Sequence, residues 1–215
     1  MKERAERRGQ ALRRWELALL VGVAAAALWG VRLDGEQAAL AEKVVRLHVL
    51  ANSDAPADQA LKLEVRDAVL SAAQGRIPPG AGMAEARAAM TEALPDLAAA
   101  GAEVVARAGY RYPVTASLED KVWFPTKEYT DFAFPAGEYT ALRISIGEGG
   151  GQNWWCVVFP PLCLGSVTES TAGTALEGGL DAQEVSLITG ESEGYVVKFK
   201  AMELLEEVQN WLEGR

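Results

Sequence analysis

Residues 147–163 read GEGGGQNWWCVVFPPLC, and few folds can hold such a stretch. Glycines that tolerate positive φ, aromatics at a strand entrance and paired prolines at its exit confine the chain to a sharply turned β segment. Gly147–Gly151 is not a phosphate loop, because it lacks Gly-Lys-Ser/Thr and leads into a strand instead of a helix N-terminus. It predicts the turn of a hairpin between two strands. The first is Glu138–Ile146, with Leu142, Ile144 and Ile146 on one face. The second, Asn153–Phe159, is apolar on both faces and is expected to be central and buried.

Upstream, Lys43–Ala51 alternates around Val45, Leu47 and Val49 and reads as a half-buried strand. Asn52-Ser53-Asp54 stops it and offers an N-cap, with Pro56 in the first turn of the helix that follows. Leu61, Val65, Ala68, Val69 and Ala72 give that helix its apolar stripe. Asp58, Lys62 and Arg66 are placed on its solvent side. A second, alanine-rich helix is predicted over Met83–Leu94, kinking or restarting at Pro95. Glu103–Arg107 and Pro113–Leu118 have β character and are expected to pair. Trp123-Phe124-Pro125-Thr126 and Phe134-Pro135 suit loops or sheet edges.

Beyond Cys163, residues 165–194 are rich in Gly, Ser, Thr and Glu, with one apolar patch at Val185–Ile188, and read as a flexible surface excursion with a short element inside. Tyr195–Lys200 is a candidate last strand. A C-terminal helix would bury Leu204, Leu205, Val208, Trp211 and Leu212. Helices before and after a sheet predict an α+β domain: an antiparallel sheet with N-terminal helices and a C-terminal helix packed on it. It spans about residues 40–215.

Residues 1–35 are set apart. Lys2, Arg4, Arg7, Arg8, Arg13 and Arg14 precede an apolar run from Leu17 to Val31. That order predicts a signal peptide or an uncleaved N-terminal anchor, with the body exported in either case. The formal net charge is −9, and residues 1–33 hold seven Lys/Arg against three Glu, so the remainder is near −13. Such a body argues against nucleic acid or an anionic membrane surface as its partner. Membrane contact is expected only through the N-terminal segment.

Two cysteines in an exported chain are candidates for one disulfide. A tight turn at Phe159-Pro160 would place Cys156 opposite Cys163, whereas in an extended chain they would lie about 23 Å apart. Two buried free thiols are the other reading. His48 is the single histidine. A zinc site from His48, Cys156 and Cys163 lacks any close-spaced ligand pair, so no metal and no cofactor are expected. A Cys156–His48 nucleophilic pair, oriented by Asn52 or Asp54, is conceivable because such pairs are spatial. Against it, His48 has the strand parity opposite to Leu47 and Val49. No catalytic residue is therefore assigned. Trp154 and Trp155, adjacent on a strand, point to opposite faces, so that either one indole enters the core and the other meets solvent or a partner, or both are covered by the chain's own loops.

The blocks VRLHVLANSDAPADQALKLEVRDAVL (Val45–Leu70), WFPT (Trp123–Thr126), FPAGEYTALRI (Phe134–Ile144) and GQNWWC…FPPLC occur in one order. Together they resemble the stage II sporulation protein R family. The resemblance implies a non-enzymatic signal exported from the forespore into the intermembrane space. There it would activate a membrane-embedded aspartic protease that cleaves an early mother-cell sigma factor precursor. The surface expected to meet that partner comprises Asn52, Asp54, Trp123, Gln152, Asn153, Trp154 and Trp155. Two other classes compete: an exported cysteine-dependent hydrolase or transpeptidase using Cys156 and His48, and a cell-wall-binding module using Trp154, Trp155 and Tyr139.

Overall fold

In the computed structural model, the described residues are 15–22, 24, 35, 37–129, 132–162 and 171–189. The chain divides into two units, Met1–Gln37 and Ala38–Arg215. In the first, residues 15–22 are helical, and Trp15, Leu17, Leu19, Leu20 and Val21 are exposed. Among the described residues, no helix is long and apolar enough to cross a membrane.

The second unit is α+β. Its strands are β1 (Val45–Leu50), β2 (Val114–Phe124), β3 (Lys127–Glu128), β4 (Ala133–Phe134), β5 (Gly137–Ile146) and β6 (Asn153–Phe159). Its helices are α1 (Pro56–Gln74), α2 (Met83–Arg107), α3 (Thr171–Glu177) and α4 (Ala182–Thr189). Four strands form one sheet in the order β2-β5-β1-β6, and β3 and β4 form a separate small ladder. The sheet is mixed, since β1 runs parallel to β5 and antiparallel to β6, while β2 and β5 are antiparallel.

This topology corrects the expected hairpin. β5 and β6 are not neighbours, because β1 lies between them, pairing Leu47 with Leu142 on one side and with Cys156 on the other. β1 is, with β5, one of the two interior strands and is buried on both faces, whereas β6 ends the strand order among the described residues. The misreading has a physical cause. Apolar character on both faces signals coverage of both faces, not a central place in the ladder.

One face of the sheet packs on α1 and α2. Val45, Leu47, Val49, Leu142, Ile144, Ile146, Cys156 and Val158 meet Leu61, Val65, Val69, Met90, Leu97 and Val105 there. α2 runs unbroken through Pro95 to Arg107, so Glu103–Arg107 is helix and does not pair with β2. Its β-branched Val104 and Val105 are buried, and burial overrides their strand propensity. The helices approach closely at Gly101, where an added Cβ would lie 2.9 Å from Val114 Cγ1 and 3.2 Å from Val65 Cγ1. Outside this contact, the Arg87 guanidinium of α2 donates to both carboxylate oxygens of Asp120 at 2.6 Å. Asp120 lies in a bulge of β2 together with Lys121, which takes φ +55°.

The opposite face carries a second core of Leu40, Val44, Phe124, Phe134, Tyr139, Val157, Leu162, Ala175, Leu180, Val185 and Ile188. Residues 171–189, expected as surface loop with a short element inside, supply two helices with buried positions, and Val185–Ile188 lies within α4. Lys43, just before β1, donates to Glu184 at 2.8 Å and ties α4 to the sheet. The candidate strand Tyr195–Lys200 and the C-terminal helix lie outside the described residues.

The close approach at Gly101 yields a direct test. Gly101→Leu should lower unfolding free energy by about 1–3 kcal/mol through overpacking against Val65 and Val114, read by denaturant titration.

Candidate functional site

The two glycine- and asparagine-bearing motifs, nearly a hundred residues apart in sequence, form one site. Because β1 separates β5 from β6, the connection at 147–152 must cross over the end of β1. It does so against residues 51–54. Gly151 N donates to Ala51 O at 3.0 Å and Gly150 N to Asn52 O at 3.3 Å. Glu148 N donates to Asn52 Oδ1 at 3.1 Å, and Gln152 N donates to Asp54 Oδ1 at 2.7 Å. The glycines are sterically required. Gly147 sits at φ +60°, and a Cβ there would lie 2.1 Å from Asn52 Oδ1. A Cβ on Gly151 would lie 2.3 Å from the backbone oxygen of Ser53. The loop is shaped by the β1 terminus, not by a two-residue turn.

Beneath it, the first turns of α1 supply polar partners. Asp58 accepts from Asn52 Nδ2 at 2.8 Å and from Ser53 Oγ at 2.6 Å, and is only 5% exposed. These donors, Ser53 first and then Asn52, hold its carboxyl below the ordinary range, with Tyr112 contributing and burial opposing. Lys62, 4% exposed, donates to Gln59 Oε1 at 2.6 Å and to Gln152 O at 2.9 Å. Burial lowers its pKa, with Asp54 opposing and Arg66 adding to the effect. Asp58 and Lys62 therefore leave the solvent side assigned to them, because the glycine loop folds over that side of α1. The N-cap of α1 is Ala55, without a side-chain cap bond. Ser53 Oγ accepts from Ala55 N at 3.2 Å, and the Asn and Asp side chains serve the crossing loop.

Of the expected partner-binding residues, Asn52, Asp54, Gln152 and Asn153 come together at this end of the sheet, with Asp54, Gln152 and Asn153 exposed. The tryptophans divide by strand parity, as the sequence suggests. Trp154 lies on the helix face under Arg66, whose Cζ stands 4.4 Å from the ring centroid. Trp155 lies on the other face, its ring 6.2 Å from His48. Both are half-buried. Trp123 does not join them. It is 47% exposed, opposite Glu138 on β2, at the other end of the strand order.

Cys156 is buried. Cys163 lies outside the described residues. Leu47 pairs with Cys156 and His48 with Trp155, so the cysteine and the histidine project to opposite faces. His48 is half-buried, and neither ring nitrogen makes a hydrogen bond of ordinary geometry, the Asn153 side chain being the polar group close enough to act on the ring. Burial is the main cause of its lowered pKa; Arg143 acts the same way, while nearby Asn153 and Glu119 oppose. The sequence also left Arg46 unremarked. It is fully buried on the same face as His48, with its Cζ 4.4 Å from the Phe124 centroid and 5.0 Å from that of Tyr139. Strand alternation in VRLHVL was the signal that put it there.

Comparison with known proteins bears on the same region. Residues 41–169 match the family model described as stage II sporulation protein R. The chain is similar to stage II sporulation protein R of Bacillus subtilis (strain 168), 38% identical over 131 residues. That alignment covers 61% of this chain and 58% of the relative. No solved structure matches the chain.

The loop–helix network has a pH signature. The folded Asp58 carboxyl titrates below its ordinary value of 3.8. Its contribution to stability is therefore complete above that value and is lost as pH falls through the lower folded one. Asp58→Asn should lower the melting temperature at neutral pH and reduce its fall on acidification below about pH 4. Parallel melting curves for both proteins across that range would contradict the assignment.

Proposed function

We propose that this chain, which belongs to the stage II sporulation protein R family, acts in sporulation as an exported signal that works by binding. In this reading the basic, then apolar, N-terminus carries the acidic body out of the forespore into the intermembrane space. The body there engages a membrane-embedded aspartic protease and switches on cleavage of an early mother-cell sigma factor precursor. The observation that supports it best is the strapped loop at 147–152. Backbone and side-chain bonds to Asn52 and Asp54 hold Gln152 and Asn153 exposed in one shape. A surface ordered before it meets its partner loses less conformational freedom on binding.

A cysteine-dependent enzyme is less well supported, since β-strand parity sets Cys156 and His48 on opposite faces of the sheet. A disulfide between Cys156 and Cys163 belongs to the proposal. It would fix the exit of β6 on the side away from the loop. The cell-wall-binding reading loses its aromatic platform, because Trp154 and Trp155 diverge and Tyr139 is buried.

The reading is tested by co-expressing the chain with the membrane protease and the sigma precursor in cells that do not sporulate. Processing should require this protein and its leader. Gly151→Ala, which drives a Cβ into the Ser53 backbone, should cut processing at least about tenfold, while His48→Ala should leave it largely intact. Processing that is independent of the chain would end the proposal.

A further inference from the structure

Five of the six buried, unpartnered side-chain nitrogens among the described residues lie on one face of the sheet. They are Nε and Nη1 of Arg46, Nδ1 and Nε2 of His48, and Nε of Arg143. Arg46 and His48 are two residues apart on β1, and His48 stands beside Arg143 on β5, so the three occupy adjacent positions of one face. The remaining nitrogen, Trp154 Nε1, belongs to the other face.

Buried polar groups without partners are rare, and a buried guanidinium is costly unless something answers its charge. Here the rings answer part of it. The Arg46 Cζ lies 4.4, 5.0 and 5.6 Å from the centroids of Phe124, Tyr139 and Phe134, and Nη2 donates to Tyr129 Oη at 3.5 Å. Tyr129 Oη in turn donates to Trp155 O at 3.0 Å. Cation–π contact stabilises the charge but leaves the N–H groups unbonded. Among the described residues the acid beside this row is Glu119, 3.5 Å from Arg143 Nη1 and itself 37% exposed. Access is graded along the face. The Arg143 side chain is 41% exposed, His48 is half-buried and Arg46 is closed off.

We propose that the face carrying Arg143, His48 and Arg46 is a binding site for a carboxylate borne on an apolar stem. The exposed Arg143 would donate to the carboxylate, His48 and Arg46 would supply an N–H group and charge from beneath it, and the half-buried Trp155 would flank the stem. Displacement of the long Glu119 contact frees Arg143 for a charge-assisted bond. A free organic acid and the acidic side chain of a partner protein share this chemistry. The site is defined without reference to the protease and stands or falls separately from that reading.

The single histidine makes the test specific, because its imidazole resonances need no assignment. The purified full chain is titrated with phenylacetate, with neutral phenylacetamide, and with the blocked tripeptide acetyl-Leu-Glu-Phe-amide, following the His48 ring by NMR. Phenylacetate should give saturable shifts at millimolar concentration and phenylacetamide none. Arg143→Gln should weaken binding about tenfold, as loss of a charge-assisted contact does, and Arg76→Gln, on a surface pair with Asp96, should not. Tighter binding of the tripeptide identifies a partner's acidic side chain as the occupant, and tighter binding of phenylacetate a free acid. Equal shifts from acid and amide, or no shift from either carboxylate ligand, would overturn the site even if Arg143→Gln failed to fold.

Discussion

Asn52 uses both ends of its side-chain amide at once. The nitrogen donates to Asp58 in α1 and the oxygen accepts from Glu148 in the crossing loop. Its own backbone oxygen accepts from Gly150. The residue therefore joins strand, helix and loop at the point where β5 must pass over β1 to reach β6. Insertion of β1 between two consecutive strands creates this need, since a crossing loop cannot satisfy its N–H groups by ladder pairing. The polar turn after β1 meets it, and the glycines admit the loop at the distance those bonds require.

The same insertion sorts the chain's chemistry. Pairing β1 with β6 in the observed register sends Cys156 to the helix face and His48 to the other, so the residues of a nucleophilic pair cannot meet without a one-residue slip. Such a slip would also expose Leu47 and Val49. What remains at the open end is an arrangement of exposed amides and an acid on a rigid base. On the opposite face, basic groups are gathered against aromatic rings within a strongly acidic protein.

Much of this was legible in the sequence, and the limits have physical causes. The helix α1, the strand β5 and the opposed tryptophans follow from periodicities of 3.6 and 2, which are local. The order of strands is not local. GEGGG between two apolar runs fits a hairpin turn as well as a crossing loop, and only pairing with a strand a hundred residues earlier decides between them. Asp58 and Lys62 look like solvent-side helix residues because nothing nearby in sequence covers them; the cover comes from 147–152. Val104 and Val105 suggest a strand by propensity, yet the helix face they occupy is buried. Arg46 was present in the alternation of VRLHVL, but a charged residue at that parity reads as exposed until a second layer is known to cover it.

The strap between the β1 terminus and the glycine loop holds this end of the sheet together, and residue-resolved amide hydrogen exchange probes it most directly. In the native full chain the amides of Glu148, Gly150, Gly151 and Gln152 should be protected well beyond free-peptide rates despite lying in a surface loop. In Asn52→Ala they should lose protection together, while Leu47 and Leu142 in the sheet keep theirs. Exchange of the four amides at free-peptide rates in the unsubstituted protein, or unchanged protection in the variant, would contradict the claim that this turn holds the loop.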